Sequence, residues 1–238
     1  AVIELVEVSE IIDKGDYKLL KTTSGDFKAR TVLIATGSDY KKLGVPGEAE
    51  YFARGVHYCA TCDGAFYRDK KLVVVGGGNS ALQEAMFLTR YASHIDLLVR
   101  GDSMRASEVL QHEIKKHSDK ITVHLNSTTD EIVAKDNVVT HVVSTHTTTG
   151  KKKNFVTDGV FVFVGLSPNT EFLKTTAIKL DKIGLIETDH RLETNMPGVF
   201  AAGDVRSGAT MQIASATGEG ATAALMIREY IDEQNKKS

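Results

Sequence analysis

The chain has 238 residues, 42% of them hydrophobic and 25% charged, with a formal net charge of −2. That length can bury one large or two modest cores, and the near-neutral balance excludes a basic field that would draw the protein to nucleic acid or an anionic membrane. No apolar run approaches the length of a membrane span. Ala1–Val8 carries Glu4 and Glu7 inside its apolar alternation, which suits a half-exposed strand and not a signal peptide, so a cytoplasmic protein is expected.

Taken in chain order, Val2–Val8 and Tyr17–Thr22 read as strands separated by an acidic, Gly-containing turn. Ser24-Gly25 leads into a further β run, Phe27–Ala35, that stops on Thr36-Gly37, and a loop with Gly44, Pro46 and Gly47 marks a boundary. Lys71–Val75 is a continuous β-branched strand ended by Gly76-Gly77-Gly78. Asn79–Tyr91 follows with helical spacing at Ala81, Leu82, Ala85, Met86 and Leu88. Ile95–Val99 and Ile121–Leu125 are strands on either side of a second helix, Ala106–His117. This β-α-β-α-β order is half of a doubly wound α/β sheet of the Rossmann type. From Glu131 to Val164, short strands with Thr- and Lys-rich turns suggest an antiparallel insertion and a return to the sheet. Gly198–Asp204 is a strand ending in a turn, and a Gly/Ala-rich helix runs from about Thr210 to Gln234.

The chemistry concentrates at two places. Gly76-x-Gly78-x-x-Ala81 stands after a buried strand and opens a helix, where Gly76 permits the tight turn, Gly78 a close backbone approach to a pyrophosphate, and Ala81 close helix–strand packing. At the end of the second strand, where NAD-binding sites carry an acid, the chain offers Arg100 and Arg105, two guanidinium groups suited to a 2′-phosphate. That favours NADPH, with Asp102 nearby as the feature that would favour NADH. The bland reading of both arginines is a solvated surface.

The other place is Cys59-Ala-Thr-Cys62-Asp63-Gly, which holds the only two cysteines. So short a loop gains little as a structural staple, and a zinc site would need two further ligands that no second CxxC or HxxxH supplies. Dithiol redox chemistry is the expectation, with no metal. One cysteine can attack a partner disulfide while the other resolves the mixed disulfide. Asp63 is placed either to carry a proton to the departing thiolate or merely to complement a helix N-terminus. A nicotinamide passes a hydride whereas a disulfide accepts electrons by thiolate chemistry, so a flavin between them is implied.

CATCDG closely followed by VVVGGGNSA resembles the redox and nucleotide segments of low-molecular-weight thioredoxin reductases. Leu33-Ile-Ala-Thr-Gly37, Val164-Gly-Leu-Ser-Pro-Asn-Thr170, Gly198-Val-Phe-Ala-Ala-Gly-Asp204 and Gly218-Glu-Gly-Ala agree in order, so the likeness covers essentially the whole chain. It implies thioredoxin-disulfide reduction with electrons passing from NADPH through FAD, in a homodimer when the protein is full length. Cys62 would face the flavin, Cys59 would exchange with thioredoxin, and Asp63 would transfer the proton. Gly76, Gly78, Asn79, Ser80 and Ala81 would form the pyrophosphate turn, with Arg100 and Arg105 on the 2′-phosphate. Asp204 would hold the ribityl chain of FAD, and Gly203, Thr36, Gly37, Gln212 and Ile213 would also line that cofactor. The implied domains are 1–42 and 168–238 as parts of a Rossmann-like FAD-binding domain, with the NADPH-binding domain 43–167 inserted between them and rotating against it. Gly101, Leu166 and Met211 stand where the family often has Arg, His and Arg, and no GxGxxG precedes Gly37. These departures keep in view a reductase using another donor and a silent nucleotide-binding fragment. A peroxiredoxin-reducing flavoprotein is disfavoured by Ala60-Thr61.

Overall fold

The computed structural model describes residues 2–237 and forms two compact units, one made of the chain up to Asp39 and from Leu166 onward, the other of Tyr40–Gly165. Ala1 and Ser238, the outer ends of the expected first and third segments, lie outside the described residues.

The first unit opens with an antiparallel meander of β1 (Val8–Asp13), β2 (Lys18–Thr22) and β3 (Gly25–Ala29). The strand expected over Val2–Val8 begins only at Val8. Val2, Ile3 and Leu5 are 85%, 86% and 97% exposed, so their alternation faces no core, whereas Ile11 is buried. The run expected over Phe27–Ala35 breaks after Ala29, because β4 (Val32–Ile34) leaves the meander for a parallel partner far along the chain. A short strand, β5 (Ser38–Tyr40), ends this part.

The second unit is built on a parallel sheet. Its strands are β6 (Val56–His57), β7 (Lys71–Val75), β8 (His94–Leu98), β9 (Ile121–His124) and, after the antiparallel ribbon β10 (Glu131–Lys135), β11 (Val138–Thr145) and β12 (Lys152–Val156), the returning β13 (Gly159–Val162). The order is β6-β13-β7-β8-β9, so the insertion does return its chain to the sheet, beside β7. Both faces are covered at the centre of the sheet, which is why β7 after Lys71 and β13 are apolar without a break, whereas β8 and β9 carry Asp96 and Thr122. Leu72, Val74, Ile95, Leu97 and Phe161 pack against the helices α1 (Ala60–Asp63), α2 (Asn79–Leu88) and α3 (Glu108–Lys115). Val73, Val75, Leu98, Val160 and Val162 pack against Ile132, Val142 and Phe155 of the ribbon.

Two helices are shorter than their apolar spacing suggested. Arg105 N and Ala106 N both donate to Gly77 O (2.7 and 3.1 Å), which holds these residues out of α3. The turn after Leu88 closes with Tyr91 N on Leu88 O (3.0 Å), and Tyr91 O then accepts from Asp69 N (2.8 Å).

The chain then re-enters the first unit through β14 (Leu166–Pro168), which pairs with β5. β15 (Val199–Ala201) pairs in parallel with β4, with Val199 opposite Val32 and Ala201 opposite Ile34. Their inward side chains join Ile11, Leu173, Ile178, Ile186, Met196 and Val205 in one core. The last helix, α4 (Ile213–Lys237), starts later than Thr210 because Met211 sits at φ 56°, outside helical backbone.

Candidate active site

The dithiol pair lies where β6 gives way to α1. Cys59 caps α1, and its sulfur accepts a hydrogen bond from Cys62 N at 3.2 Å. The two sulfurs are joined as a disulfide, so the 3.3 Å contact of Cys59 Sγ with Thr61 Oγ1 has the hydroxyl as donor. Cys62 is exposed on its unit and Cys59 half-buried. Asp63 follows at the end of the turn, and its Oδ2 meets Nδ1 of buried His57 at 3.0 Å. His57 is a neighbour that sequence reading passed over. The signal was its place in the short apolar stretch Val56-His57-Tyr58 before the first cysteine, where alternation turns it toward the helices.

Behind the pair, Glu48 is a buried carboxylate that was likewise missed. It accepts hydrogen bonds from Leu43 N (2.8 Å), Gly44 N (2.7 Å) and Tyr58 Oη (2.7 Å), tying the loop at the start of the unit to the residue before Cys59. Burial, and then the bond to Glu48, push the Tyr58 phenol well above its ordinary value, so it stays a donor.

The glycine turn has the geometry its sequence requires. Gly76 sits at φ 147°, and a Cβ there would lie 2.3 Å from Phe163 O and 2.7 Å from the Ala81 methyl, so Gly76 and fully buried Ala81 together set how closely α2 approaches the sheet. A Cβ on Gly77 would strike Val99 at 2.7 Å, whereas around Gly78 the space is open. Gly78 caps α2 without a side-chain bond, which leaves the first N–H groups of the helix, at Asn79, Ser80 and Ala81, available to an anion. Asn79 has a second use: its Oδ1 accepts from Ser107 N at 2.9 Å, fixing the start of α3. Arg100 and Arg105 are both exposed, and neither guanidinium has a partner among the described residues. Asp102 instead accepts from Ser103 Oγ at 3.1 Å. Gly77 O holds the backbone of Arg105, so that residue is tied to the turn itself.

The remaining residues expected to hold a cofactor gather in the first unit. Gly37, Gly203, Asp204 and Ile213 line an open cleft of about 310 Å³, together with Leu33, Ser38 and Gly220. Gly37 and Gly203 have φ of 68° and 77°, a conformation that glycine adopts without strain. Ser38 Oγ donates to Asp204 O, while the Asp204 carboxylate has no partner among the described residues. Ile213 is 86% exposed at the rim. The polar atoms of Thr36 are engaged by Asn169 instead: the hydroxyl donates to Asn169 O (2.8 Å) and the carbonyl accepts from Asn169 Nδ2 (3.0 Å). Gln212 is exposed, and its carbonyl accepts from Ala216 N at 2.9 Å as α4 starts. Arg206 and Glu219, neither foreseen, form a two-point ion pair, and Glu219 also accepts from Gly203 N at 2.8 Å. The Arg206 hydrogen bond holds the Glu219 carboxyl below the usual range.

Residues 2–220 match the family of pyridine nucleotide-disulphide oxidoreductases. A thioredoxin reductase of Bacillus subtilis (strain 168) is 44% identical over 227 residues, which cover 95% of this chain and 71% of that protein. Among solved structures, thioredoxin reductase from Streptococcus pyogenes MGAS5005 is similar at a TM-score of 0.89 and 42% identity, over 96% of this chain and 74% of that one. Thioredoxin reductase from Giardia duodenalis is similar at a TM-score of 0.90 and 32% identity, over 95% of this chain and 74% of that one.

Proposed function

The chain belongs to the pyridine nucleotide-disulphide oxidoreductase family, and we propose that it is a thioredoxin-disulfide reductase in which Cys59 and Cys62 carry electrons from NADPH and FAD to the disulfide of a thioredoxin. The observation that carries this reading is the joined Cys59–Cys62 pair, with the acid Asp63 next in sequence, in the same unit as an uncapped glycine-turn helix. Thioredoxin is the partner because thioredoxin reductases are the proteins this chain resembles over nearly its whole length. The same reading makes the protein a cytoplasmic homodimer.

The residues present fit both cofactors. Gly37 and Gly203 leave their backbone free of side chain beside the cleft, and Asp204 offers it an unpartnered carboxylate for the hydroxyls of a ribityl chain. Gly203, Asp204, Gly37 and Ile213 would line FAD, with Thr36 and Gln212 bordering it through their backbone. A bound flavin supplies the two-electron link between hydride donor and disulfide. On the other unit the N–H groups of Asn79, Ser80 and Ala81 would take the NADPH pyrophosphate, and Arg100 and Arg105 its 2′-phosphate. The cysteines then act in turn. Cys59, as thiolate, attacks the thioredoxin disulfide, and Cys62 attacks the resulting mixed disulfide, re-forming the Cys59–Cys62 bond and releasing reduced thioredoxin. Asp63 supplies the proton that a leaving thiolate needs.

The test uses the full-length, flavin-loaded protein. NADPH should support turnover of a thioredoxin, Cys62→Ser should abolish that turnover, and Arg100→Ala or Arg105→Ala should raise KM for NADPH more than for NADH. Equal turnover in Cys62→Ser, or a protein that takes up no flavin, refutes the proposal.

A further inference from the structure

Asp63 does not stand alone. Its Oδ2 lies 3.0 Å from His57 Nδ1, and His57 Nε2 lies 2.7 Å from Tyr67 Oη. The imidazole is 7% exposed and lies against Phe161, with ring centroids 5.1 Å apart and planes 27° from parallel. The groups that face it come from three elements: Asp63 from α1, Tyr67 from the 3₁₀ turn Gly64–Tyr67, and the apolar Phe161 from β13. Behind Tyr67 stands Asp158, paired with Lys70 at 3.7 Å and accepting from Lys71 N at 2.9 Å. The Asp63 side chain is itself 31% exposed, so the buried ring reaches solvent through it.

A buried imidazole usually keeps one protonation state, because gaining or losing a proton leaves a ring nitrogen without a partner. Here both states are satisfied. When the ring is neutral with its proton on Nδ1, that nitrogen donates to Asp63 and the Tyr67 hydroxyl donates to Nε2. When the ring is charged, both nitrogens donate, to Asp63 Oδ2 and to Tyr67 Oη. A hydroxyl can serve either way because it is donor and acceptor at once. Burial, and after it the charges of Asp63 and Asp158, raise the Tyr67 phenol to about 12, so its own proton stays in place at neutral pH. The packing also makes room for this tyrosine: a Cβ on Gly159 would fall 2.4 Å from the Tyr67 ring.

We propose that His57 is the positioning residue and proton store of Asp63, so that the acid serving the Cys59–Cys62 bond is the Asp63–His57 couple rather than Asp63 by itself. This rests on the function proposed above. Reduction of the dyad breaks its S–S bond with two electrons from the nicotinamide donor and, to leave one attacking thiolate and one thiol, takes up a single proton. The couple furnishes it. Imidazolium releases the proton on Nδ1 to the carboxylate and Asp63 passes it to the thiolate, giving a thiol and a neutral His57 that is transiently the Nε2–H tautomer, its bare Nδ1 facing Asp63 until it is reprotonated. The half-exposed carboxylate then returns a proton from water to Nδ1. The other sulfur, on Cys59, remains the thiolate that attacks thioredoxin.

Two measurements test this. In the oxidised, 15N-histidine-labelled protein, the His57 ring should pass from doubly protonated to neutral as pH rises, and the midpoint should move in Asp63→Asn and in Tyr67→Phe. A ring that holds one state across the whole range of folded protein overturns the proposal without reference to turnover. In the flavin-loaded full-length protein, His57→Asn keeps a donor near the Nδ1 position but cannot carry a proton. It should slow thioredoxin reduction by about tenfold or more below the His57 midpoint, where the store of the parent is loaded, with the difference closing at alkaline pH, while NADPH reduces the flavin at the rate of the parent. Tyr67→Phe should give a smaller loss of the same pH dependence. If His57→Asn retains the parent rate and pH profile, His57 only orients Asp63 and the proton store is refuted. If the parent itself reduces no thioredoxin, it is the proposed function that fails, and the ring titration still decides the fate of the couple.

Discussion

At the scale of single residues, the side chains around the dyad and the cleft separate into those that act and those that hold. Asn79 and Thr36 fall at expected cofactor positions, yet their polar atoms bind Ser107 N and Asn169. Glu219 is the reverse: an unforeseen side chain that holds Gly203 N and Arg206 at the cleft. Its pH behaviour follows from the direction of its shift. The bond from Arg206 lowers the folded pKa of Glu219, so its stabilisation is complete above the unfolded glutamate value of about 4.3. It is lost as pH falls through the lower folded value. Glu219→Gln should cost about 1–2 kcal/mol near neutrality, and the gap in Tm between the two proteins should close on acidification. A gap that stays constant with pH would mean that shape rather than charge fixes Gly203.

At the scale of elements, the contact between β7 and α2 depends on the absence of side chain at Gly76. Alanine there meets both a φ of 147° and an oxygen at 2.3 Å, a cost on the order of 2–4 kcal/mol. Gly76→Ala should lower Tm and weaken NADPH binding together. Gly78→Ala, with open space around it, should leave Tm within experimental scatter and weaken only the nucleotide, read by titration calorimetry. β7 was legible because two covered faces leave a run with no polar break after Lys71, and the glycine turn was legible because only glycine tolerates its backbone. Helix ends were not. Periodicity continues through Ala106 and Thr210, but Gly77 O captures residues 105–106 and Met211 turns to positive φ. β6 is only two residues long, so the alternation around it was too short to stand out and His57 went unnoticed.

At the scale of the whole molecule, each unit keeps its own core. The clusters centred on Leu72 and on Val73 belong entirely to Tyr40–Gly165, and the one centred on Ile34 and Val199 to the other unit. A polypeptide of residues 40–165 should therefore fold by itself, unfold in one cooperative transition, and bind NADPH without flavin. A fragment that melts without a transition would show that its stability is borrowed from the first unit. The redox pair, the glycine turn and the alternation of strand and helix could be read from residue order alone, since each depends on neighbours within a few positions: a CxxC loop, a turn that excludes Cβ, a face that must be buried. What surrounds those residues could not. His57 meets Asp63 and Tyr67 because the turns after β6 fold back over it, its ring is buried against Phe161 because β13 docks beside β6, and Gly203 meets Glu219 because α4 returns to the end of β15. Such pairings join residues through packing of separate elements, and a linear pattern holds no record of which side chains that packing brings within hydrogen-bond reach.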